Sequence, residues 1–208
     1  MKKLLIIGAG GFGRELYAWA SQHPDCGRSW QLAGFLDDSS EALKPFGSFA
    51  PVWPLAGHKP MADQLYLIGL GSPVTKEKLI APLVSAGAEF LTFVHPSAII
   101  GARVTLGRGV VICPGAILSV DIDVGEFAMV NLNSTIGHDA RIGAWTTLSA
   151  QCDVTGHVRV ADRVFLGSGA RIIPGKSVGS RSTVGAGAVV VTDVPAAVTL
   201  VGNPARIL

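Results

Sequence analysis

Histidine is the side chain whose ordinary pKa, about 6.5, suits proton transfer near neutral pH; this chain carries it at positions 23, 58, 95, 138 and 157. His23 lies near the end of a helical stretch and His58 in a Pro-rich connection, so both read as solvated. His95 precedes Pro96 and reads as structural. His138 stands in Asn131-Leu132-Asn133-Ser134-Thr135-Ile136-Gly137-His138-Asp139, two places after an aliphatic residue and directly before a carboxylate. A carboxylate beside an imidazole stabilises imidazolium, which is a general-base arrangement. The residues alone leave open an exposed turn histidine beside a solvated aspartate. Cys26, Cys113 and Cys152 are odd in number, widely spaced and without a CxxC pair. That suits a reducing compartment, hence a cytoplasmic location, and offers no metal cage.

The elements that must position these groups follow from a repeat. From Ile100 to Val190 every sixth residue is Ile, Leu or Val, and the residue after it is usually small. Four residues after the aliphatic comes another small or β-branched residue, with Ile122 and Lys176 straining the rule. A period of six fits neither a helix nor a plain alternating strand, and its glycines would weaken a helix by about 1 kcal/mol each. Short strands joined by tight turns fit. The pattern resembles the hexapeptide repeat of the left-handed parallel β-helix, in which three hexads close a triangular coil. That resemblance implies about five coils over the unbroken register, the handedness coming from the resemblance alone.

Ahead of the repeat, Lys3 to Ile7 reads as a strand and Gly8-Ala9-Gly10-Gly11-Phe12-Gly13 matches GxGxxG before a helix from Arg14 to Ser21. Such a loop suits a phosphate at a helix N-terminus, or simply close helix–strand packing. A second strand, Gln31 to Leu36, ends in Asp37-Asp38, whose carboxylates could accept from a ribose hydroxyl or a base N–H. A third, Leu65 to Ile68, ends in Gly69-Leu70-Gly71-Ser72 before a helix from Thr75 to Ser85. The fold class expected is a small Rossmann-like half domain over 1–94 followed by a β-helix over 95–208, with room for a mononucleotide or sugar nucleotide and little more.

The chain has 208 residues and a net charge of +2, so no strong field points to nucleic acid or an anionic membrane. No apolar run approaches the roughly 20 residues of a membrane span, and the apolar stretch after Lys3 is too short for a secretory leader.

The order of Gly8 to Glu15, Gly34-Phe35-Leu36-Asp37-Asp38, Val94-His95-Pro96-Ser97-Ala98, Asn131 to Gly143 and Gly202-Asn203-Pro204-Ala205 resembles the sugar O- and N-acyltransferases of the sialic-acid O-acetyltransferase and bacillosamine N-acetyltransferase type. The resemblance implies a homotrimer transferring acetyl from acetyl-CoA to a nucleotide-linked 4-amino-4-deoxy sugar for surface glycans, with sites between neighbouring β-helices. It needs no metal and no covalent enzyme intermediate. It makes His138 the catalytic base and Asp139 the residue that orients it and stabilises its charge. Residues 18 apart then stack, so Gly156 lies one rung above His138, leaving space for a thioester and offering a backbone N–H to the oxyanion. Asp121, Asp139 and His157 share a column, in which His157 contacts Asp139 or is one more surface residue. Carried over for acetyl-CoA are Thr147, Gly167, Ser168, Ala186, Gly202, Asn203 and Pro204; for the sugar nucleotide, Gly10, Gly11, Phe12, Asp37, Asp38 and Gly69.

Three departures stand out. Phe12 and Thr147 occupy positions where relatives often carry histidine, and Gly71-Ser72 replaces an Asn-Asn pair. Lys176 occupies an inward position as a local bulge or as a group reaching the CoA phosphates. Rival readings are O-acetylation of a sialic-acid-like sugar, a non-enzymatic sugar-nucleotide scaffold, and a small NAD-dependent reductase.

Overall fold

The computed structural model describes all 208 residues, which divide into two compact units: Met1–Gly71 with Thr75–Leu91, and Ser72–Val74 with Thr92–Leu208. The first is a parallel four-stranded sheet. Its elements run β1 (Lys2–Ile7), α1 (Gly11–Ser21), β2 (Trp30–Leu36), β3 (Val52–Trp53), β4 (Gln64–Ile68) and α2 (Pro73–Ser85), in sheet order β3-β2-β1-β4. Leu4, Ile6, Phe35 and Leu67 are fully buried, as the apolar runs require. The two-residue β3, beside Pro51, has no counterpart in the sequence reading.

The second unit is a left-handed parallel β-helix. Its strands are two-residue rungs on three faces, and pairs such as Thr135↔Asp153 and Ile136↔Val154 lie 18 residues apart. The inward aliphatics stack in columns: Ile112, Val130, Leu148, Leu166 and Val184 are all fully buried. Each side chain so buried contributes roughly 1.5–3 kcal/mol, and only against neighbouring coils. Buried Ser134, Thr146 and Ser182 join successive coils. Ser134 Oγ donates to the Ser149 carbonyl (2.9 Å) and accepts from the Cys152 N–H (3.1 Å), and Thr146 and Ser182 repeat the pattern.

The helix is somewhat longer than five coils. One face begins with Phe93–Val94, before the first hexad aliphatic, and runs on to Thr199–Val201, where Arg206–Ile207 adds an antiparallel strand. The last coil is two residues short, because Val184 pairs with Leu200 and Val178 with Val194, so the six-residue count loses it. Ile122 is a buried core residue. Lys176 makes no bulge, since Val160 still pairs with Val178. Its side chain is half-buried, and its charge helps hold the Asp193 carboxyl below the usual range, after the Ser177 amide and hydroxyl.

Candidate active site

His138 follows the rung Thr135–Ile136 at a corner of the β-helix, and its side chain is 56% exposed. Its Nδ1 lies 2.8 Å from Asp139 Oδ2. A carboxylate only accepts, so Nδ1 carries the ring proton and Nε2 is left with a lone pair. Asp139 is held for this by the turn: it sits at φ +61°, and its backbone N–H donates to the Val120 carbonyl one coil below.

One coil above stands Gly156, where the 18-residue stride places it. A Cβ there would come within 2.7 Å of His138 Nε2 and 2.8 Å of Cε1, so the ring lies against the bare backbone of that residue. Gly156 is buried, and its nitrogen is 2.6 Å from where a Cβ on Gly137 would stand. This packing gives Gly156 the role of a spacer beside the ring.

The column is as expected. Arg103, Asp121, Asp139 and His157, spaced by 18, all adopt left-handed φ between 55° and 61°, a conformation that residues other than glycine seldom take. Arg103 grips both oxygens of Asp121, at 2.5 and 2.8 Å, and this ion pair holds the Asp121 carboxyl below its usual range. Asp121 is therefore already paired, and Asp139 is left to the imidazoles. His157 Nδ1 lies 3.8 Å from Asp139 Oδ2, and its ring stands perpendicular to that of His138 at 4.9 Å.

Of the residues carried over for acetyl-CoA, Ser168, Ala186, Gly202, Asn203 and Pro204 are exposed. Gly167 is buried, and a Cβ there would meet the Ala186 nitrogen at 2.6 Å; close stacking of coils explains it. Thr147 is fully buried and offers no atom to a ligand on the surface of the chain, which corrects that assignment.

In the α/β unit the glycine loop divides by role. Gly8, Gly13 and Gly69 are packed together: a Cβ on Gly13 would overlap the Gly8 carbonyl at 1.8 Å, and one on Gly69 would meet Gly13 Cα at 2.8 Å. The packing explanation therefore covers Gly69, a residue expected to touch substrate. Gly10 and Gly11 face open space at the N-terminus of α1, where Gly10 is the cap and supplies no side-chain hydrogen bond. Arg14, which sequence reasoning passed over, lies beside Gly11, stacks on the Phe46 ring at 3.6 Å and keeps a buried, unbonded Nε. Phe12 packs edge-on to Trp19. Asp37 accepts from Ala9 N–H (2.8 Å) and Ser39 N–H (2.9 Å), tying the end of β2 to the loop, while Asp38 accepts from Ala56 N–H (2.7 Å).

Two histidines expected to be solvated are not. The His23 side chain is 16% exposed and lies over Trp30; His58 is half-buried and bonds Tyr66 Oη at 2.8 Å. His95 is structural as expected, its Nδ1 accepting from Ser97 N–H. A cavity of about 560 Å³ lined by Leu5, Leu36, Trp53, His58, Lys59 and Gln64 contains none of the residues predicted to bind the sugar nucleotide. Lys76 on α2 is almost wholly buried, which pushes its pKa down to about 7; nothing in its sequence surroundings announces this.

Taken together, a β-helix presenting a carboxylate-held imidazole, preceded by a glycine-loop α/β unit, defines a hexapeptide-repeat transferase. Comparison with known proteins agrees. Residues 74–190 match the GMPPB C-terminal domain and residues 3–83 the PglD N-terminal domain. GDP-perosamine N-acetyltransferase of Escherichia coli O157:H7 is 29% identical over 97% of this chain and 94% of its own. The structure of WeeI from Acinetobacter baumannii AYE is 32% identical with a TM-score of 0.88, covering all of both chains. PerB from Caulobacter crescentus, solved with CoA and GDP-perosamine, is 28% identical with a TM-score of 0.79 over 100% of this chain and 98% of its own. The chain belongs to the hexapeptide-repeat sugar acyltransferase family. No helix is long and apolar enough to cross a membrane.

Proposed function

We propose that this protein is an N-acetyltransferase that moves the acetyl group of acetyl-CoA onto the amine of a nucleotide-linked 4-amino-4-deoxy sugar. It works as a cytoplasmic homotrimer in surface-glycan synthesis, with His138 facing a cleft between adjoining β-helices. The two units divide the work: the α/β unit anchors the sugar nucleotide, and the β-helix supplies the base and the acyl-donor surface. The amine nitrogen attacks the thioester carbon while His138 Nε2 takes its proton. The tetrahedral intermediate then collapses, the C–S bond breaks, and the imidazolium returns the proton to the departing sulfur. Transfer is direct, without an enzyme-bound acyl group or a metal.

One observation carries this reading: Asp139 holds Nδ1 at 2.8 Å while Nε2 stands over a residue without a side chain. On the acceptor side, the open Gly10-Gly11 backbone at the N-terminus of α1, with Arg14 beside it, suits a diphosphate. Ser168, Ala186 and the tail Gly202-Asn203-Pro204 are the exposed candidates for the CoA surface. The names of the relatives support the choice of an amino-sugar nucleotide and of CoA.

The test is a panel of UDP-, GDP- and dTDP-linked amino sugars, with a sialic-acid-like sugar, assayed with acetyl-CoA for thiol release. At least one amino-sugar nucleotide turns over, and His138→Ala lowers that turnover by about 10²–10⁴-fold while light scattering still reports a trimer. A fully active His138→Ala chain refutes the mechanism.

A further inference from the structure

We propose that His138, Asp139 and His157 form a binding site for a divalent transition-metal ion, zinc in particular, and that its occupation switches the enzyme off. The proposal rests on the reading of His138 as the base for its inhibitory half only. The donor atoms of the three side chains lie within 4.8 Å of one another and all three residues are exposed. Two imidazoles from successive coils approach one carboxylate oxygen: Nδ1 of His138 at 2.8 Å and Nδ1 of His157 at 3.8 Å from Asp139 Oδ2. Tetrahedral zinc, with bonds of about 2.0–2.2 Å, needs donor separations on the order of 3.3 Å. The His138–Asp139 pair therefore has to open by about 0.5 Å, giving up its hydrogen bond to the metal bond, and the widest pair has to close by about 1.5 Å at most, shifts within reach of rotamer changes in exposed side chains. Two nitrogens, one oxygen and a fourth position left to water make a donor set that zinc accepts.

The neighbours do not oppose a cation. Asp121, one rung below, binds Arg103 through both oxygens, which offsets the one guanidinium that also acts on Asp139. The backbone holds the donors in place, since Asp139 and His157 both stand at fixed left-handed turn positions of adjacent rungs and the His157 N–H donates to the His138 carbonyl at 2.8 Å.

The effect on catalysis follows from the tautomer. A neutral imidazole has one ring proton, and zinc on Nδ1 displaces it to Nε2. The nitrogen over Gly156 then becomes a donor and has no lone pair with which to take a proton from the substrate amine. Zinc also draws the Asp139 carboxylate away from stabilising an imidazolium.

The experiment titrates the full-length protein with zinc chloride alone, by calorimetry without CoA, because the CoA thiol itself binds zinc. One ion binds per chain with a dissociation constant below about 100 µM, and His157→Ala and Asp139→Asn each weaken it by at least about tenfold. Turnover is then followed by chromatography of the acetylated sugar, not by thiol release. Saturating zinc lowers it at least about tenfold in the parent and less than about twofold in His157→Ala, whose zinc-free turnover stays within about twofold of the parent. Absence of saturable binding, or binding that neither substitution weakens, as zinc held by Cys26 would give, overturns the site. Binding that leaves turnover unchanged overturns the inhibition. If His138 proves not to be the base, the calorimetric titration still reports on the metal, so the two failures are told apart.

Discussion

Replacing Gly156 with alanine is the sharpest probe of how the β-helix places its base. The added Cβ falls 2.7 Å from His138 Nε2, 2.8 Å from Cε1 and 3.2 Å from Cδ2, so Nε2 and Cε1 are at least about 0.7 Å, and Cδ2 about 0.3 Å, too close for ordinary contact. Gly156 does not occupy the left-handed region, so its backbone accepts alanine without strain. The yielding partner is the ring, because the His138 side chain is 56% exposed and swings outward more cheaply than a rung separates. A displacement approaching 1 Å at a catalytic group costs about a hundredfold in rate, or roughly 2.7 kcal/mol. Gly156→Ala should therefore lower kcat about a hundredfold while its Tm stays within about 3 °C of the parent. Gly137→Ala is the companion measurement. Its Cβ meets backbone atoms, the Gly156 nitrogen at 2.6 Å and the Thr155 carbonyl carbon at 2.7 Å, and the coil itself must move; Tm should drop by about 5–10 °C. Turnover of Gly156→Ala within about threefold of the parent, or a loss of Tm equal to that of Gly137→Ala, refutes the argument that this glycine seats the ring.

Asp139→Asn removes the carboxylate from Nδ1 and lets the ring choose the other tautomer; kcat should fall about tenfold to a hundredfold with KM nearly unchanged, and steady-state kinetics on the two chains decide it. Lys76 makes stability depend on pH. Its ammonium titrates near 10.5 when unfolded and at about 7 in the fold, so between those values the unfolded chain binds more protons and stability rises with pH, by about 1.4 kcal/mol per unit. From about pH 9 upward the buried Cys152 thiol, pushed up to about 11, and Tyr66, pushed up to about 12, act in the opposite sense. Urea unfolding at pH 7, 8 and 9 should thus show a climb in the parent that Lys76→Met flattens; an equal slope in both chains rules out Lys76 as its source.

The β-helix was legible because its physics is local: each aliphatic fills the prism at a fixed interval, and the stride of 18 brought His138, Gly156, Asp139 and His157 to one corner on paper as in the structure. The count fell short at the 16-residue last coil, where the interval breaks, and at Val94, which stands six residues before Ile100 and pairs with Ile112 in the same register. Long-range partners were illegible. Nothing near His58 in sequence names Tyr66 as its partner, and nothing near Asp37 announces that it ties down Ala9. GxGxxG could not reveal that Gly8 serves packing while Gly10 and Gly11 stay open, because the atoms against Gly8 belong to Gly69 and Leu70, just beyond another strand. Burial of Thr147 shows the same limit: a match to a family position says nothing about whether this chain leaves that side chain open.

The constant stride has a consequence for how such a site can change. A single inserted residue between His138 and Gly156 would slide every later residue of the coil to the wrong vertex, separating the base from its spacer and Asp139 from His157, whereas removal of a whole turn further along would leave that corner untouched. Variation in chain length near the chemistry is thus quantised in full turns. The last coil, already out of step by two residues yet still burying Val194 and Leu200 in the prism, shows that the count can relax only where no further rung is stacked in register upon it.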